Sequence, residues 1–125
     1  MPVEQSFNDV QKLVGGWTLG TGEIDEDYQA HQVGQEVGEL HEELSNGRDR
    51  EAIVGEVADI AIALLGYAEQ HGIDVGEAIM AKMALVYLKY PPHVMLELQA
   101  EGLTRAEAFA YMKDLWEKNN PKSTY

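Results

Sequence analysis

Between Arg50 and Gln70 the chain reads REAIVGEVADIAIALLGYAEQ, and this segment limits the possible folds more than any other. Ile53, Val54, Val57, Ile60, Ala61, Leu64, Leu65 and Ala68 spread over most of a helical wheel. A helix of this kind has to be covered nearly all round, either inside a bundle or at a subunit interface. Two acids interrupt it, Glu56 and Asp59 in the pattern E-x-x-D. That spacing sets both on one side of a helix, with Cβ atoms about 5–6 Å apart. A carboxylate taken out of water is costly unless it is paired or coordinates a metal, and the segment after Arg50 contains no Lys or Arg to pair with. The pair therefore asks for a cation.

A second acidic pair lies just upstream. From about Asp27 to Leu44 the apolar residues Val33, Val37, Leu40 and Leu44 form one helical stripe, and Gln32, Glu36, Glu39 and Glu43 form another beside it. The acids thus sit at the edge of the core. Asn46-Gly47 is a turn signal, so the two helices are expected to run antiparallel, with Glu36, Glu39, Glu56 and Asp59 sharing one site. Four carboxylate oxygen donors suit a hard divalent ion such as Mg²⁺, with Mn²⁺ as a substitute, and such ions commonly carry substrate phosphates in their remaining positions. For Glu36 and Glu39 alone a solvated acidic face explains the spacing equally well. The apolar setting of Glu56 and Asp59 is what turns the set towards metal binding.

The remaining chain reads as helices with no competing strand pattern, so the fold class expected is all-α. Phe7, Val10, Leu13 and Val14 mark a first helix from Ser6 to Gly16, which Trp17-Thr-Leu-Gly-Thr-Gly is expected to break. Asp74-x-x-Glu77 opens a fourth helix that Pro91-Pro92 stops near Tyr90, His93 to Ala100 forms a short helix, and Thr104-x-x-Glu107 caps a last one through Lys118. At 125 residues a single domain spanning 1–125 is expected. Cysteine is absent, which removes disulfides, thiolate zinc sites and thiol nucleophiles. With 22 acidic and 9 basic residues the net charge is −13, which argues against binding DNA, RNA or an anionic membrane. A phosphorylated substrate is compatible with that charge only where bound metal neutralises the carboxylates. The N-terminal residues show no basic region followed by an apolar run, and a cytoplasmic location is expected.

QEVGEL followed by GEVADI resembles the MazG-like all-α nucleoside triphosphate pyrophosphohydrolases, whose motifs have the forms EExxE and ExxD. The resemblance covers about residues 7–91 and implies a four-helix-bundle-like core there, with an added C-terminal helical extension over 93–118. It implies that Glu36, Glu39, Glu56 and Asp59 bind Mg²⁺ and carry catalysis. The implied reaction is cleavage of a (deoxy)nucleoside triphosphate between the α and β phosphates to monophosphate and pyrophosphate. It also implies a homodimer or homotetramer. The first Glu of EExxE is Gln35 here, and where relatives carry Lys, Asn and Arg on the following helix this chain has Lys82, Val86 and Lys89. Lys82 is a phosphate-binding candidate, and Lys89 replaces the Arg as a point charge without its bidentate fork.

Weaker candidates surround this set. Trp17 is placed either in the core or an interface, or against a nucleobase, and Glu43 extends the acidic stripe as a further ligand, a water-orienting group or an ordinary surface acid. His31 and His41 fall on the outer side of their helix, while His71 and His93 border loops. A different class of function fits the same charge: a non-enzymatic acidic helical interaction module. The apolar surfaces of the third and fourth helices, the latter carrying Ile79, Met80, Met83, Leu85, Val86, Tyr87 and Leu88, exceed what one small domain readily covers, so a homo-oligomer is expected from the residues as well.

Overall fold

The structure, a computed structural model, describes residues 6–22, 25–47 and 49–121. Those residues form six helices and no strand, an all-α fold. The helices are α1 (Phe7–Gly20), α2 (Glu26–Asn46), α3 (Arg50–Gln70), α4 (Val75–Lys89), α5 (Pro92–Ala100) and α6 (Arg105–Asn119). Two compact units divide them, Met1–Ala78 and Ile79–Tyr125, with the boundary inside α4. Among the described residues no helix is long and apolar enough to cross a membrane.

In the first unit α1 and α2 both pack on α3 in bundle-like fashion. Ser6 starts α1 through a reciprocal capping box: its Oγ accepts from Asp9 N–H, and the Asp9 carboxylate accepts from Ser6 N–H. The expected break at Trp17 does not occur, and α1 continues to Gly20. Gly15 and Gly66 explain why glycines sit inside these helices. A Cβ at Gly15 would run into the Glu69 side chain, and one at Gly66 would lie 2.6 Å from Thr18 Oγ1. At these two points the side chain of the facing helix occupies the space a Cβ would need, which glycine leaves free. The chain turns away from α1 at Gly22, where φ is +106°.

Gln11 ties this unit together from inside. Only 3% exposed, its amide nitrogen donates to Ile73 O at 2.7 Å and Glu69 Oε1 at 3.1 Å, and its Oε1 accepts from Val75 N–H at 3.1 Å. One side chain thereby joins α1 to the end of α3 and satisfies a free N–H at the start of α4, where Asp74 caps Glu77 N–H. The helix α3 is covered only in part within this unit. Leu65, Gly66 and Ala68 are buried, whereas Val54, Val57, Ile62 and Leu64 stay exposed.

In the second unit α5 and α6 enclose a small core of Met95, Ala108 and Met112, with Tyr90, Val94, Leu98 and Phe109 packed on it. Tyr90 meets Phe109 edge-on at 4.9 Å. The capping box predicted at Thr104 and Glu107 forms in both directions and starts α6.

Candidate metal centre

Asp25 opens α2 by accepting Tyr28 N–H, and Asp49 stands at the N-cap of α3, so two helices of 21 residues each lie side by side on either end of a short connection. Heptad spacing aligns Gln29, Gln32, Glu36, Glu39 and Glu43 along the face of α2 that meets α3. The same spacing aligns Glu56, Asp59, Ala63 and Gly66 on α3. Antiparallel pairing sets the acids of one stripe against the acids of the other.

The result is a convergence of Glu36, Glu56 and Asp59, each offering one carboxylate oxygen within 4.8 Å of the other two. Glu36 and Glu56 are half-buried and Asp59 is exposed. Among the described residues Glu36 Oε2 and Glu56 Oε2 are buried with no hydrogen-bond partner, and no Lys or Arg forms an ion pair with the group. Burial raises the carboxyl pKa of Glu36 above the usual range first, followed by the charges of Glu39 and Asp59, a side-chain hydrogen bond with Glu39 and the charge of Glu56. Glu56 is raised in the same way, by burial and then by Glu39, Asp59, Glu43 and Glu42. Unsatisfied, mutually repelling oxygens of this kind fit a hard divalent cation.

Of the predicted ligands, Glu36, Glu56 and Asp59 are brought together directly. Glu39 and Glu43, both half-buried, stand next to them and act on them through charge. Lys82 and Lys89 lie on the part of α4 that belongs to the second unit, where Lys89 Nζ sits 5.5 Å from the Tyr90 ring centroid. Trp17 is neither core nor loop: it is on α1, 63% exposed, and rims a cavity of about 180 Å³ whose wall includes Thr18, Tyr28, Gln29, Gln32 and Gly66. The pattern of acids and apolar residues does not single out Gln29. What finds it is the heptad: Gln29 is the polar stripe of α2 carried seven residues before Glu36.

At the far end of the pair, Tyr67 donates its hydroxyl to Glu26 Oε2 at 2.9 Å, and His71 Nε2 stands 3.7 Å from the same oxygen. The Glu26 hydrogen bond is the main reason the Tyr67 pKa is raised, with burial and the Glu26 charge adding to it.

No protein-family model matches the chain, and no solved structure matches it. Over 78 residues, 62% of its length, it is 36% identical to a dATP/dGTP diphosphohydrolase of Salmonella phage PMBT28. The chain spans about a quarter of the length of that curated relative, the matched stretch being 25% of it.

Proposed function

We propose that the chain is a Mg²⁺-dependent (deoxy)nucleoside triphosphate pyrophosphohydrolase that cleaves between the α and β phosphates and serves in nucleotide-pool housecleaning or shaping. The observation that carries this reading is the pair of buried, unpartnered oxygens on Glu36 and Glu56, converging with Asp59. Similarity to a relative named for hydrolysis of dATP and dGTP supports it, and makes the purine deoxynucleotides the first substrates to test.

In this reading Glu36, Glu56 and Asp59 hold the ion, with Glu39 as the fourth carboxylate beside them. When bound, Mg²⁺ or Mn²⁺ supplies neutralising charge for the phosphate oxygens and acidity for a water molecule. The protein contributes a fixed, preorganised set of acids on two helices, so little rearrangement is needed as charge develops. A carboxylate of the cluster takes the proton from the attacking water. Glu43 orients that water. No covalent nucleophile is required.

The test is to incubate purified protein with dATP, dGTP and the other (d)NTPs, with and without millimolar Mg²⁺ or Mn²⁺. Monophosphate and pyrophosphate appearing only with metal is the expected result. Absence of both products from every substrate refutes the enzyme, and absence of any metal-induced rise in melting temperature as well returns the acidic interaction module.

A further inference from the structure

Gln29 is a buried side chain whose amide oxygen is unpaired. It is 3% exposed, its Oε1 has no hydrogen-bond partner among the described residues, and its side chain lines the 180 Å³ cavity rimmed by Trp17 and Tyr28. A buried amide oxygen left unpaired costs stability, and the cavity that the same side chain lines is where a polar partner for the amide has room. The cavity is somewhat larger than the roughly 150 Å³ void that accepts benzene in an engineered core. Its aromatic rim, with Trp17 63% and Tyr28 59% exposed, offers faces on which a planar ring can stack.

Position along the helix says what that ring belongs to. Gln32 precedes Glu36 by one turn and Ala63 follows Asp59 by one turn, so the cavity begins where the acidic cluster ends. Gln29 lies seven residues from Glu36, about 10 Å along the axis. A nucleotide with its phosphates at the carboxylates would extend its base into this cavity.

We infer that Gln29 is a specificity-determining residue that reads the 6-position and the adjacent ring nitrogen of a purine base. The inference rests on the function proposed above. A primary amide carries one acceptor and one donor group, and it pairs with two adjacent base atoms of opposite character. Adenine presents an amino donor at position 6 beside the acceptor N1, and guanine presents the acceptor O6 beside the donor N1–H. Turning the amide end for end converts one match into the other. Gln29 therefore admits both purines and selects against a ring that lacks the 6-substituent.

The experiment compares wild type with Gln29→Leu and Gln29→Met on dATP, dGTP and the deoxynucleoside triphosphate of unsubstituted purine. In parallel, binding of the three corresponding monophosphates is measured by calorimetry. Either apolar replacement removes the unpaired amide, and melting curves identify the variant that keeps its fold. In wild type, kcat/KM for dATP and dGTP should exceed that for the unsubstituted analogue by ~10- to 100-fold. In the variants that gap should close, with the analogue itself little changed. Hydrolysis with the same gap in wild type and variants overturns the role of Gln29 and leaves the enzyme intact. Monophosphate binding that loses its 6-substituent dependence in the variants, with no hydrolysis by any form, upholds Gln29 and refutes the reaction. Neither hydrolysis nor 6-substituent-dependent binding by wild type overturns both.

Discussion

A carboxylate whose pKa is raised on folding destabilises the folded chain when it ionises, and Glu36 and Glu56 both behave this way. The stability they allow is fully present below about pH 4.5, their ordinary value, and is lost as pH rises through the raised folded values. Metal-free protein should accordingly melt at progressively lower temperature as pH rises from 4.5, and millimolar Mg²⁺ should reverse the loss; thermal scans across pH with chelator and with Mg²⁺ measure it. Glu56→Gln should flatten that pH dependence and leave the metal-free protein as stable as wild type or more so, because both burial and repulsion ease. The same variant should abolish hydrolysis, and an active Glu56→Gln protein would remove Glu56 from the metal set. These acids were legible in the sequence because charge in an apolar helix is conspicuous. Gln29 is marked in the sequence only by sharing the heptad of Glu36, and that spacing does not say that its oxygen is buried.

Between helices, close approach at glycine is what holds α1 on α3. Gly66→Ala should cost about 1–3 kcal/mol by overpacking, and in the Thr18→Ala background, where the facing hydroxyl is gone, most of that cost should vanish; a double-mutant cycle in urea gives the coupling directly. Gln11→Leu should cost about 1–3 kcal/mol for each buried backbone group it strands, since Ile73 O and Val75 N–H lose their partner. Retention of wild-type stability would show that water replaces the amide. The boundaries of α3, predicted as Arg50 to Gln70, coincide with the structure because strong turn signals flank the run. The sequence pattern ends α1 at Gly16, four residues short of the structure, because Gly15, Gly16, Gly20 and Gly22 look like a loop in one dimension. The reason for Gly15 lies across the interface, in Glu69, where local pattern carries no information.

At the scale of the whole molecule, both units leave large apolar side chains in water: Val54, Val57 and Leu64 on α3, and Met80, Tyr87 and Leu88 on α4. Association of two or more copies through these helices is proposed, and sedimentation equilibrium at micromolar concentration should give a mass above the 13.9 kDa of one chain. A single species of that mass would exclude it. The Tyr67 and His71 contacts to Glu26 have a mechanical counterpart to this charge pattern. Two parallel rods fastened at one end by a short covalent link and at the other by a polar clasp, with like charges facing across the middle, bow outward when nothing bridges the centre. Without divalent ion the backbone amides of α2 between 33 and 40 should exchange their hydrogens faster than with it, while those near 26–29 and 67–71 change little, so that the ion acts as a rivet at mid-span.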